Sequence, residues 1–283
     1  MTISQSIVCA LAYSDVFDYP LTDEEIWMWM PEKESNFGAV SKKIEELLKD
    51  KKIGQAKGFY FLKGRAKIVK MRLNRVKESR RKLSKALQTA SILKLIPSVV
   101  FVGLTGALAV ENSGKEDDID LMAVSYPGTV WLTRLASTIL LELIGLRRGR
   151  GSQGNKDKIC LNMFVDFDYL NFSPHTIYKA REILQMKTLW DKGGVEANIL
   201  KRNQWVWKIF PNQKSLHKKK INSSFKKIGW IEEAEKIAYL VQFSYMKKHI
   251  TREVVNKNLL AFHPRDTEGW VMGEYKKRLE RKL

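Results

Sequence analysis

Between Ser98 and Val165 the chain alternates apolar, β-branched runs with turns and helical segments, and this rhythm constrains the fold more than any other feature. Ser98-Val99-Val100-Phe101-Val102-Gly103-Leu104 reads as a buried strand. Thr105-Gly106 turns the chain, Ala107 to Glu111 starts a helix, and Asn112-Ser113-Gly114-Lys115 is a loop. Asp118 to Val124 is a second strand. Pro127-Gly128 leads into a helix from Trp131 to Ile144, and Gly149 to Asn155 is rich in glycine. Ile159 to Val165 is a third strand. Strand, helix, strand, helix, strand within about seventy residues is a compact α/β unit.

The flanks differ. Residues 4–13 are apolar at helical spacing, and Pro20 breaks the chain. Thr22-Asp23-Glu24-Glu25 is a capping-box pattern that starts a helix carrying Ile26, Trp27 and Trp29. A third helix runs from about Ala39 to Lys49, with Val40, Ile44, Leu47 and Leu48 on its apolar face. Ile53-Gly54 and Gly58-Phe59-Tyr60-Phe61-Leu62 then form a hairpin. Three helices and a hairpin resemble a winged helix-turn-helix. Its third helix balances Lys42, Lys43 and Lys49 against Glu45, Glu46 and Asp50, which favours a structural or protein-contact role over DNA reading. The expected architecture is mixed α+β in four parts: a winged-helix-like domain at 1–64, a linking helix at 65–96, the α/β unit at 97–174 and a helical region at 175–283. Trp190, Trp205, Trp207 and Trp230 are its candidate core anchors.

A net charge of +19 over 283 residues implies an anionic partner. The excess lies at 51–100 and 201–283, on either side of a near-neutral middle. Lys63 to Lys85 holds eleven Lys or Arg and one acid, Glu78. Val69, Leu73, Val76, Leu83 and Leu87 form its expected apolar stripe, with a basic outer face suited to phosphates or to solvent. A second block, Lys214 to Lys227, reads as a loop. Cys9 and Cys160 are too far apart in sequence for a disulfide framework, and the four histidines match no zinc spacing. His263, in Phe262-His263-Pro264-Arg265-Asp266, reads as part of a docking turn. The apolar stretch Leu135–Leu146 is too short to span a bilayer, and the start lacks a basic leader. A cytoplasmic protein without membrane contact is expected.

The chemistry concentrates at Thr105-Gly106-Ala107 and, ten residues on, Asp118-Ile119-Asp120-Leu121. Residues two apart on a strand share a face, so Asp118 and Asp120 project together, roughly 7 Å apart along the backbone. Carboxylates that close call for a cation, and a hard divalent ion such as Mg2+ suits oxygen ligands. Gly106 lets backbone amides approach a phosphate.

This segment resembles the signature of the DNA polymerase β-type nucleotidyltransferase superfamily. That signature runs hydrophobic–Gly–Gly/Ser, nine to thirteen residues, then Asp–hydrophobic–Asp/Glu–hydrophobic. The resemblance covers about residues 97–170. With the winged helix in front and Pro127-Gly128-Thr129-Val130-Trp131-Leu132-Thr133-Arg134 behind, it extends to uncharacterised bacterial and archaeal nucleotidyltransferase-domain proteins. It implies Mg2+-dependent transfer of a nucleoside monophosphate from a nucleoside triphosphate to a hydroxyl acceptor. Thr105, Gly106 and Ala107 would hold the nucleotide, and Asp118 and Asp120 the metal. Two positions depart from the pattern. Ala107 stands where the family usually has Ser, and Asn162 stands at the in-strand position of the third carboxylate. Asp166, of the same strand parity, is the substitute catalytic base, with Asp157 behind it.

The acceptor and the oligomeric state are not written in the sequence; the basic segments suit a nucleic acid. Two other readings stand beside the transferase. A catalytically inactive nucleotidyltransferase-fold protein that binds nucleic acid or regulates predicts no third acid near the pair. A scaffold or antitoxin-like interaction protein predicts an exposed apolar patch that includes Trp27 or Trp29.

Overall fold

Local sequence signals set the first elements. Thr2 and Thr22 each accept from the backbone N–H three residues on, and Gln5 and Glu25 return the bond, so two full capping boxes start α1 (Ile3–Asp15) and α2 (Asp23–Met28). Asn36 caps α3 (Phe37–Lys49), which buries Val40, Ile44 and Leu47. A hairpin of β1 (Ile53–Ala56) and β2 (Phe59–Leu62) follows, paired Ile53 to Leu62. The computed structural model describes residues 1–149, 156–217, 224–225, 231–248, 250–251, 253–262 and 266–280. The lysines at 218–220 and 226–227, Trp230, His249, the 263–265 cluster and most of the glycine-rich loop lie outside the described residues.

Helix α4 (Lys67–Leu93) carries most of the basic block, and of the expected stripe Val69 is buried and Leu83 packs on the sheet core. Leu73 and Leu87 are exposed, while Ile68, Val69, Arg72, Ser79, Lys82, Ala86, Ala90 and Leu93 are buried. Two of its cations, Arg72 and Lys82, turn inward. Arg72 forms a two-pronged ion pair with Glu25 (2.6 and 2.8 Å) and lies over the rings of Tyr19 and Phe59. Arg65 pairs with Asp15 and Asp18, and Arg75 donates to the Phe17 carbonyl and to Asn112.

The remaining elements are β3 (Val99–Leu104), α5 (Gly106–Ala109), β4 (Ile119–Ser125), α6 (Val130–Leu143), β5 (Ile159–Asp166), α7 (Ile177–Gln185), β6 (Lys187–Asp191), α8 (Val195–Arg202), α9 (Val206–Ile209), α10 (Glu232–Met246), β7 (Val254–Val255), β8 (Leu259–Ala261) and α11 (Thr267–Glu280). The fold is mixed α+β, with one six-stranded sheet in the order β6-β3-β4-β5-β8-β7. Among the described residues the β4–β5 pair is the one parallel pair of strands, and its crossover runs through α6. Residues 175–283, expected to be helical, also supply β6, β7 and β8: the first pairs with β3 and the last two extend the sheet beyond β5.

One sheet face packs Val102, Leu104, Ile119 and Leu121 against Ala86, Ala90 and Leu93 of α4 and Leu141 of α6. The other packs Phe101, Met122 and Val124 with Val195 and Ile199 of α8 and Ile183 of α7. α7 divides its residues between two neighbours. Arg181 is buried over the Trp29 and Tyr13 rings of the winged-helix module, while Ile183 joins the sheet cluster. Trp29 is buried against Phe210, and Trp27 is half-buried with its indole N–H donating to the Ser35 carbonyl. The apolar patch expected of an interaction scaffold is therefore not formed at Trp29. No helix among the described residues is long and apolar enough to cross a membrane.

Candidate active site

Asp120 is the second residue of strand β4 and Asp118 lies just before the strand, on the parity that points away from α4 and α6. One ligand atom each from Asp118, Asp120 and Cys160 lie within 4.8 Å of one another. Cys160 arrives because β5 pairs in parallel, with Asp120 opposite Cys160. The register then slips between Leu121 and Met122, so β5 carries one extra residue, Asn162. The slip also brings Asn162 to the pair: its Nδ2 donates to Asp120 Oδ1 at 3.1 Å and reaches Thr105 Oγ1 at 3.5 Å. Two residues of β5 thus face Asp120, and neither is an acid.

Gly106 sits at φ +64° directly over Asp120. A Cβ there would lie 2.8 Å from Asp120 Oδ2, so both the backbone conformation and the close approach favour glycine. The Thr105 N–H donates to the Asp120 carbonyl at 3.0 Å and fixes the turn to the strand. α5 is a single turn of four residues, so the phosphate cradle expected at a helix N-terminus reduces to the Thr105-Gly106-Ala107 turn itself.

Burial, with Asp118 adding repulsion, lifts the Asp120 carboxyl from its ordinary 3.8 to about 7. Burial and the two acids push the Cys160 thiol up to about 12. Two carboxylates converging from one strand fit a hard divalent cation, which takes one or two carboxylates and completes its shell with phosphate oxygens and water. A neutral, soft thiol does not fit that ion. Arg148, which sequence reasoning passed over, pairs with Asp118 at 2.5 Å and sits 3.9 Å from Cys160 Sγ.

The other expected acids go elsewhere. Asp166 ends β5 opposite Ser125, five residues and roughly 17 Å of strand from Asp120. Its carboxylate accepts from the N–H groups of Gly128 (2.6 Å) and Asp168 (2.9 Å). It anchors two turns, which corrects the expectation that it is the base. Asp157 is held by both Nη atoms of Arg81 at 2.6 and 2.7 Å.

The loop leading to Asp118 is clamped from α4. Lys82, fully buried, donates to the carbonyls of Gly114 (2.5 Å) and Asp117 (2.6 Å) and to Ser113 Oγ (3.2 Å). The Asp117 side chain closes the same turn on the Gly114 N–H.

A cavity of about 540 Å³ opens beside the acids. Thr105, Asn162 and Met122 line it from the sheet, and Tyr178 and Glu182 from α7. Glu182, also missed in the sequence, is half-buried, and burial with Asp120 nearby lifts its carboxyl to about 7. Its one signal was position on an amphipathic helix among Ile177, Ala180 and Leu184.

No family model and no curated protein matches the chain. A solved structure described as a crystal structure of a toxin-antitoxin with AMP-PNP aligns with 48% of this chain and 93% of its own. The two share 13% identity at a TM-score of 0.26. A likeness this loose defines neither fold nor function.

Proposed function

We propose that the chain is a magnesium-dependent nucleotidyltransferase that moves a nucleoside monophosphate from a nucleoside triphosphate to a hydroxyl. The observation that carries this reading is the convergence of Asp118 and Asp120 beneath the Gly106 turn, where φ is +64° and a Cβ would come within 2.8 Å of Asp120 Oδ2. Asp118 and Asp120 would hold Mg2+, which supplies charge neutralisation for the triphosphate and polarises the α-phosphorus. The Thr105-Gly106-Ala107 backbone faces the phosphates. Arg148 exchanges Asp118 for the incoming polyphosphate, which a guanidinium binds as readily as a carboxylate. Asn162 orients Asp120 and cannot accept a proton.

Glu182 is the proton acceptor in this reading, because it lines the cavity shared with Thr105 and Asn162 and is poised near neutrality. The acceptor hydroxyl oxygen bonds to the α-phosphorus, the bond to the pyrophosphate oxygen breaks, and the hydroxyl proton passes to Glu182. Incubation with each labelled triphosphate, Mg2+ and candidate acceptors tests this. Label transfer that is lost in Asp118→Ala/Asp120→Ala supports it. The absence of any Mg2+-dependent nucleotide binding overturns it.

One observation favours a second reading. With Cys160 and Asn162 facing Asp120, β5 supplies no third carboxylate to the pair. A nucleotidyltransferase-fold protein that binds nucleotide without turnover would look the same, and triphosphate binding without transfer to any acceptor would favour it.

A further inference from the structure

A second depression, about 1390 Å³ and open to solvent, lies where the winged-helix module meets α8 and α9. None of the residues assigned to the acid pair or its cavity lines it. Trp27, Trp205 and Trp207 contribute aromatic surface, and Lys201, Lys208 and Lys214 contribute charge. Glu34 is the single acid among the lining residues.

The groove differs from the basic helix in its aromatic rings, since the exposed Lys67, Lys70 and Lys77 of α4 have no aromatic residue between them. Lys201, Lys208 and Lys214 are exposed and form no ion pair among the described residues. On α4, by contrast, Arg72, Arg75, Arg81 and Lys82 are engaged with protein oxygens. The tryptophans are half-buried and fixed in place. The Trp205 ring stacks on His175 at 4.4 Å and 11° and donates its N–H to Asn203. Trp207 lies 5.6 Å from the His217 ring, and the Trp27 N–H is bonded to Ser35. Fixed aromatic rings interleaved with unpaired cations are what a polynucleotide with unstacked bases requires: flat apolar faces for bases and point charges for phosphates. A duplex keeps its bases stacked inside and gains only the charges.

We propose that this groove binds single-stranded nucleic acid, with bases stacked on the tryptophans and phosphates held by Lys201, Lys208 and Lys214. The proposal stands independently of catalysis at the acid pair.

Fluorescence anisotropy of the full chain with a labelled strand of roughly twelve nucleotides tests it, using RNA and DNA of one sequence, single-stranded and duplex. Saturable binding of either single strand, tighter than of its duplex, is expected. Lys201→Ala/Lys208→Ala/Lys214→Ala, all surface changes, should weaken binding about tenfold or more at low salt. It should also flatten the plot of log affinity against log salt by about two, as three lost phosphate contacts require. Trp207→Ala should weaken binding about fivefold or more. The matched variant Lys67→Ala/Lys70→Ala/Lys77→Ala, exposed on α4, should bind nearly as the wild type does. Failure of both single strands to saturate overturns the proposal. So does wild-type affinity in the groove variant, or an equal loss in the α4 variant.

Discussion

Gly106→Ala tests the site with one methyl group. The new Cβ would meet Asp120 Oδ2 in a backbone conformation that alanine disfavours, so a loss of about 1–3 kcal/mol in urea unfolding is expected. Mg2+ affinity, read by titration calorimetry, should fall with it, because the carboxylate must move. Glu182→Gln should lower the rate of label transfer about a hundredfold while leaving triphosphate binding intact. The lifted carboxyls of Asp120 and Glu182 also fix a sign for pH. Their folded values lie near 7, above the ordinary 3.8 and 4.5, so the folded chain holds protons that the unfolded chain releases. Stability is greatest below the ordinary values and falls as pH rises through about 4 to 7. In chelator, the melting temperature should therefore drop between about pH 4 and pH 7, with Mg2+ restoring most at the upper end. Asp120→Asn should flatten that slope. Asp118, Asp120 and Gly106 were legible in the sequence because strand parity and turn chemistry are local. Cys160 and Arg148 were not, since the parallel pairing of β5 on β4 brings in the one, and the bond from the Arg148 N–H to the Ile159 carbonyl the other. Asp166 misled because parity says nothing about distance along a strand.

At the scale of elements, α4 is the surprise. A helix with nine cations reads as a surface, yet it joins the winged-helix module to the loop before Asp118. Counting apolar residues placed its inner stripe on Leu73 and Leu87, because no pattern of apolar letters marks a lysine whose ammonium is satisfied by carbonyls. Lys82→Met would remove the ammonium that bonds the Gly114 and Asp117 carbonyls and should cost about 1–3 kcal/mol. Turnover should fall further than stability explains, seen as a lower kcat at saturating Mg2+, since the loop sets Asp118. The Arg72–Glu25 pair is mostly buried, and Glu25→Gln should cost about 3–5 kcal/mol by stranding the guanidinium. Arg72, together with the Thr22 amide and the Tyr19 hydroxyl, holds the Glu25 carboxyl below its ordinary 4.5 against the opposing cost of burial. Its stabilisation is therefore present above that value and lost as pH falls through the folded value. Acid unfolding followed by circular dichroism should lose this component in the variant. The three central strands and the capped helices were legible from β-branched runs and capping boxes. β6 was not, because Lys187-Thr188-Leu189-Trp190-Asp191 is a short edge strand with polar ends, and β8 has only three residues.

For the molecule as a whole, the sheet joins distant parts of the chain. β6 covers the open edge of β3, and β8 covers that of β5. A fragment of residues 97–174 alone would present two unpaired edges and should aggregate on expression, whereas the full chain stays in solution. Solubility and light scattering of the two forms check this. The winged-helix module is closed in the same way. Val271 and Tyr275 of α11 belong to one core with Ile7 and Leu11 of α1, Tyr275 packs edge-on against Tyr13 at 5.6 Å, and Arg278 reaches Asp15 at 2.8 Å. Translation therefore meets these parts in an awkward order. The helices and hairpin, which precede the sheet in the chain, are completed only after every strand of the sheet has been made. Until residue 278 clears the exit tunnel, the face of α1 that Val271 and Tyr275 will cover stays open to chaperones and to neighbouring nascent chains.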